Sequence, residues 1–222
     1  MWVLATRSRV ANCQRFIQAW HDTRASTPVY VRIDHCDPNL GKLLALPWPK
    51  EFVVVTGVRA RLRASANEMF NNYPNESWYG LLADDVVPRS DYWDQQLVQA
   101  ATPDKISYAP DPAAIAANKF SMSHPCVGGD LVRLVGWFGC PVVDHFGVST
   151  FWQTLHHQLG WNGAVAAVLE HAHPVYGKAE MDSTYLESLA NKYTDLANLS
   201  RYIDNNLTAL IESIHNKYLN KI

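Results

Sequence analysis

Trp78-Tyr79-Gly80-Leu81-Leu82-Ala83-Asp84-Asp85-Val86-Val87-Pro88 is an apolar run of strand length that ends on two adjacent aspartates. Such a run fits a strand of an open α/β sheet, and these sheets bind ligands beyond the carboxyl ends of their strands. Two carboxylates held side by side repel one another, and a hard divalent cation relieves the repulsion. A cation there would grip a diphosphate and offset charge on a departing one. The competing reading is structural: one aspartate caps a helix starting near Pro88 and the other is solvated.

Outward from this segment, strand and helix signals alternate. Residues 2–5 form a short apolar run, and Cys13, Phe16, Ile17 and Trp20 then follow at the spacing of one helix face. Residues 29–34 alternate with period two. Residues 52–56, Phe-Val-Val-Val-Thr, read as a strand buried on both faces. Helical patterns cover 64–72 and 92–101, on either side of the strand at 78–82. This alternation implies a mostly parallel sheet with right-handed crossovers. The middle is less regular: a short strand at 106–108, a loop at 124–130 leading into a helix at 131–135, a helix at 151–159 and an apolar strand at 163–169. From Ser183 onward Leu186, Leu189, Tyr193, Leu196, Leu199, Ile203, Leu207, Leu210 and Ile214 recur every three or four residues. That is one amphipathic helix, or two broken near Asn205-Asn206, and its stripe would pack on the domain or on a second copy as a homodimer. The expected organisation is a domain over 1–182 and a C-terminal helical segment over 183–222.

Composition narrows the function classes. The chain of 222 residues is 48% hydrophobic, enough for a full core. Its formal net charge of −2 and the absence of a basic tract argue against nucleic acid as the partner. No stretch approaches the ~20 apolar residues of a membrane span. Cys13, Cys36, Cys126 and Cys140 show no CxxC pairing, and no export signal is read at the start, so reduced thiols in a cytoplasm are the expectation.

Charged groups collect after the predicted strands: Thr6, Arg7 and Arg9; Asp34 and Asp37; Arg59, Arg61 and Arg63; then Asp84 and Asp85. Parallel strands would bring all four groups to one edge. Arginines there suit phosphate, and carboxylates suit ribose hydroxyls, base N–H groups or a metal. The bland alternative is that loops are polar anyway. Late in the chain, Glu170-His171-Ala172-His173-Pro174 offers two imidazoles. An extended backbone would point them to opposite sides, leaving one to join Asp85 on a metal, with Mn²⁺ or Zn²⁺ suiting carboxylate plus imidazole. A zinc site from Cys126, Cys140, His145 and His171 has irregular spacing and weak support.

Several of these segments, taken in order, resemble one family. Ala83-Asp84-Asp85 with Pro88-Arg89 and Trp93-Asp94, then Glu170-His171-Ala172-His173-Pro174 with Gly177-Lys178 and Asp182-Ser183-Thr184-Tyr185, are similar to glycosyltransferases of the GT-A fold. The likeness is to the short family-two-like enzymes found in phages and prophages. Gly128-Gly129-Asp130 and Gly136-Trp137-Phe138-Gly139 match their acceptor-side region. The resemblance spans about residues 1–185.

It implies an α/β, Rossmann-like, mostly parallel mixed sheet flanked by helices. It also implies a metal-assisted hexosyltransferase that uses Mn²⁺ or Mg²⁺, a UDP- or GDP-sugar donor, and a glycan or other hydroxyl acceptor. Asp85, with His173 or His171, would bind the metal, with Asp84 beside it. Thr6, Arg7 and Arg9 would line the nucleotide pocket, Asp34 would contact base or ribose, and Arg61 and Asn67 would sit beside the nucleotide. The family's carboxylate base has no counterpart here: its expected position holds Ser149, leaving Asp144, His145 or Asp130 as candidate bases. Two alternatives stand beside the transferase: a non-catalytic sugar-nucleotide or glycan-binding protein, and a two-metal hydrolase.

Overall fold

The computed structural model describes residues 1–117 and 122–219, so the irregular middle and the C-terminal segment each run partly outside the described residues. Its elements are β1 (Trp2–Thr6), α1 (Val10–Asp22), β2 (Val29–Asp34), α2 (Leu40–Leu44), β3 (Phe52–Gly57), α3 (Leu62–Asn72), β4 (Trp78–Ala83), β5 (Val86–Pro88), α4 (Trp93–Ala101), β6 (Ile106–Ser107), α5 (Pro112–Ala116), β7 (Cys126–Gly128), α6 (Gly129–Val135), α7 (Val148–Gln158), β8 (Leu169–His171) and α8 (Ser183–Ile214). The central sheet is six-stranded in the order β3-β2-β1-β4-β7-β6. β1 pairs in parallel with β2 and β4, and β2 with β3, as βαβ alternation requires. β7 alone opposes its neighbours.

Alternation along each central strand feeds two cores. Trp2 and Leu4 pack with Cys13, Phe16 and Trp20 of α1 and with Trp93 and Leu97 of α4. Val3 faces the other way, with Ala66 and Met69 of α3, Leu131 of α6 and Phe151 and Trp152 of α7. In β4, Trp78 and Leu82 share the first face while Tyr79 and Leu81 share the second. Gly80 lies on the Trp2 face, where an added Cβ would stand 1.9 Å from the indole Cε3, so only glycine admits the buried Trp2 ring. The Trp20 ring meets Phe52 edge-on at 4.9 Å, which ties α1 to the sheet.

Three expectations change, and one open alternative is decided. β3 is the edge strand, half exposed after Phe52, and of the four parallel strands it is β2 that is buried along its whole length. Period-two alternation in β2 hid this because Arg32 is buried, donating to Glu68 and to the carbonyls of Ile33 and Val58. Residues 126–128, read as loop, form β7, because both β4 and β6 offer it an open edge. The strand expected at 163–169 reduces to a single bridge between Ala164 and Tyr108, and the ladder forms one step later as β8 against β5. The C-terminal stripe is one helix of 32 residues, unbroken at Asn205-Asn206. Leu199, Leu207 and Ile214 enter the core beside α7, whereas Leu186 and Tyr193 are exposed.

Candidate functional site

The register aligns the carboxyl ends of the parallel strands: Thr6 lies opposite Ile33, Ile33 opposite Thr56, and Ala5 opposite Ala83. The turns after them surround a cavity of about 360 Å³. Thr6, Arg7, Arg9, Asp34, Arg59, Arg61, Asp84 and Asp85 all line it, as the parallel reading of the sequence required. His124, His145, His171, His173 and the start of α8 complete the wall. The volume falls in the range of small-molecule sites.

The two aspartates have separate environments. Buried Asp84 accepts from Thr6 Oγ1 at 2.8 Å and from Arg9 Nη1 at 2.9 Å. Burial pushes its carboxyl up and Arg9 opposes the shift. Asp85 accepts from the Tyr185 hydroxyl through Oδ2. Its Oδ1 lies 3.0 Å from His171 Nε2, yet the approach is not aligned as a hydrogen bond and the buried oxygen has no other partner. Burial alone would raise the Asp85 carboxyl; His171 and Tyr185 outweigh it and hold the group below the usual carboxylate range. The helix-cap reading of this pair fails. Residues 86–88 are β5, drawn into strand form by β8, and the next helix starts at Trp93.

The β5–β8 ladder sets Val86 opposite His171, which delivers that imidazole beside Asp85. The backbone then turns: the His173 N–H donates to the His171 carbonyl at 2.8 Å. The two imidazoles therefore share the cavity, 5.0 Å apart, rather than facing opposite sides as an extended chain would place them. His173 also meets the Tyr185 ring at 4.8 Å. Burial first, and His171 second, lowers the His173 imidazole pKa. His124 joins them with its ring 5.0 Å from His171 and its Nε2 buried without a partner. Burial, with His171 adding, lowers it to about 3, so this imidazole is neutral. Nothing in the local sequence singled out His124, because its meeting with His171 is made by tertiary packing alone. Among the described residues, no three His, Cys, Asp or Glu side chains are grouped to hold an ion between them.

The cationic wall is fully engaged. Arg7 donates to Asp34 at 3.0 Å, and Asp34 also accepts from the Ala60 N–H at 2.9 Å. Arg9 grips Asp182 through two nitrogens at 2.8 and 2.9 Å and lies 3.9 Å over the Tyr185 ring. Arg59 and Arg61 both donate to Glu187. Asp37 lies just behind the wall and fixes the turn by accepting from the Ser8 and Asn39 N–H groups.

The candidate bases separate. His145 lines the cavity, beside Ser149 and Thr150. Burial, with Arg61 adding, lowers its imidazole pKa, which favours the neutral ring and weakens it as a base. Asp144 stands outside the lining and pairs with Arg63 at 3.1 Å. Asp130 is at the wrong end of the sheet: β7 runs antiparallel to β4, so the residues after it lie beside Trp78, and Asp130 pairs with Arg133. Asn67 also lies off the cavity, its amide bonding Phe138 N, Gly139 N and the Gly139 carbonyl. Cys126 and Cys140 are buried in different cores, which removes the zinc reading.

Sequence reading passed over Asp195. Buried on α8, it accepts the backbone N–H groups of Asp144, His145 and Phe146, each at 3.0 Å. A carboxylate four residues before Leu199, on the apolar stripe, was the signal available. It fixes the loop that carries His145 into the cavity.

No family model and no curated protein sequence matches the chain. Among solved structures the chain is similar to a mannosyltransferase from Pyrobaculum calidifontis in complex with GDP-Man and Mn²⁺. The TM-score is 0.57 at 12% identity, over 99% of this chain and 80% of the other. At that identity the likeness is one of fold. Among the described residues, no helix is long and apolar enough to cross a membrane.

Proposed function

We propose that the chain is a glycosyltransferase that carries a sugar from a nucleotide-diphosphate sugar to an acceptor hydroxyl with the help of Mn²⁺ or Mg²⁺. The single observation carrying this reading is the Asp85–His171 pair: a buried carboxylate oxygen without a hydrogen-bond partner, 3.0 Å from an imidazole nitrogen. Two ligands of one octahedral ion with bonds of about 2.1 Å stand about 3 Å apart, so the spacing fits a shared cation. His173 is the next donor in reach of the same space. Asp85 and His171, with His173 beside them, would hold such an ion together with the diphosphate of the substrate. A bound ion supplies neutralisation of the leaving diphosphate. The solved neighbour's GDP-Man and Mn²⁺ are in keeping with this chemistry.

The other roles follow from position. Arg59 and Arg61 face the diphosphate as bidentate partners. Asp34, with Thr6 and Arg7, borders the ribose and base. Asp84 holds Arg9 in the wall. His145 serves as the base toward the acceptor hydroxyl, in place of the carboxylate absent at Ser149. Asp144, engaged by Arg63, tunes the loop without taking the proton.

His145, in the lining that Asp85 and His171 share, supports turnover over the non-catalytic binding reading. The test is a thermal-shift panel of UDP-, GDP-, CDP- and TDP-sugars, each with Mn²⁺ and with EDTA. Ligands of the folded state raise the midpoint by mass action. We expect a Mn²⁺-dependent shift with one nucleotide, lost in Asp85→Ala. A shift that survives EDTA and Asp85→Ala would refute the metal assignment, and no shift with any donor would refute the transferase reading.

A further inference from the structure

We infer that the first turns of α8 are a built-in competitor for the diphosphate subsite, and this inference rests on the reading just proposed. Within six residues, Tyr185 and Glu187 of the cavity lining, and Asp182 through its bonds to the lining residue Arg9, satisfy the groups that an anionic donor would need. Asp182 accepts two hydrogen bonds from Arg9, at 2.8 and 2.9 Å. Glu187 accepts from both Arg59 and Arg61. The Tyr185 hydroxyl bonds Asp85, the carboxylate offered to the cation. The segment thus presents two carboxylates to three arginines and a hydroxyl to the metal ligand. A cation-bound diphosphate offers the arginines and Asp85 the same kinds of partner.

The Glu187 contacts are weak enough to permit exchange. Glu187 and Arg59 are 36% and 46% exposed, and ion pairs at such positions are weak enough for a multiply charged ligand to displace. The core contacts of α8 begin only at Asp195 and Leu199, two turns or more beyond Glu187, so the first turns can yield while the rest of the helix stays docked. A site whose competent state is a fraction of the population binds more weakly by that fraction. Removing the competing carboxylates therefore tightens binding, whereas removing a merely structural ion pair does not.

The experiment is calorimetric titration of the full chain with GDP and with UDP, each with Mn²⁺, and with inorganic diphosphate. Glu187→Gln and the double variant Asp182→Asn/Glu187→Gln are compared with the parent chain. Asparagine keeps the cap that Asp182 gives to the Tyr185 N–H. We expect both variants to bind diphosphate and the preferred nucleotide about three- to tenfold tighter. We also expect amide exchange across residues 183–189 of the parent chain to speed up when ligand binds. Nucleotide binding with unchanged or weaker affinity in the variants overturns the competitor and leaves the transferase reading in place. Tighter diphosphate binding with no nucleotide binding in any protein supports the competitor and overturns the nucleotide-sugar reading. Absence of binding by all ligands to all three proteins overturns both.

Discussion

Replacing Asp195 by alanine removes one carboxylate and leaves three backbone N–H groups, those of Asp144, His145 and Phe146, without their acceptor. Hydrogen bonds to a charged group contribute about 1.5–3 kcal/mol each when well buried. Asp195 is buried, but Asp144 is exposed and His145 and Phe146 are half-buried, so water recovers part of the loss. A net cost of about 2–4 kcal/mol follows, below the simple sum of three bonds. Urea denaturation measures it as a shift of midpoint at constant slope. Asp195→Asn keeps one acceptor oxygen and falls between parent and alanine. Hydrogen exchange adds the local readout: the amides of residues 144–146 lose protection, while those of β1 and β4 in the central sheet do not. If Asp195→Ala leaves both the midpoint and the three amides unchanged, the loop does not depend on this carboxylate and the positioning of His145 needs another cause.

Other perturbations have equally definite outcomes. Gly80→Ala drives a methyl into the Trp2 ring, and we expect destabilisation on the order of 3 kcal/mol with altered tryptophan fluorescence; a parent-like midpoint would mean that β1 and β4 pack otherwise. His124 ordinarily titrates near 6.5 and is held to about 3 in the fold. The unfolded chain therefore binds the extra proton between those values, and stability falls as pH falls through that window by up to ~1.4 kcal/mol per unit. Urea midpoints from pH 7 to 4 should show this slope reduced in His124→Asn, and parallel curves would refute the assignment. Tyr185→Phe removes the hydroxyl donated to Asp85, and we expect Mn²⁺ to bind about threefold tighter in the presence of nucleotide; weaker binding would make Tyr185 a support of the ion instead of its rival.

The parts legible in the sequence were those written in short-range pattern. The period-two and continuous apolar runs of β1, β2 and β4 and the helical spacing of Cys13, Phe16, Ile17 and Trp20 each specify an element from neighbouring residues. Parallel strands then oblige Thr6, Asp34 and Asp85 to share an edge, so this part of the wall follows from connectivity. The errors came where a segment's state depends on a distant partner. β7 and β8 are three residues each and exist because another strand edge receives them. Asp130 looked like a site residue until the antiparallel sense of β7 carried it to the far end of the sheet.

Sequence alone thus determined the α/β alternation, the strand-edge clustering of arginines and aspartates, and the long apolar stripe of α8. Tertiary structure decided which groups face one another. Asp85 meets His171 across the β5–β8 ladder, His124 meets His171 through packing, and Asp182 and Glu187 reach arginines more than a hundred residues earlier. Periodicity reports which side of an element is apolar. It carries no record of where the far end of the chain returns, because that is fixed by the summed burial of both cores.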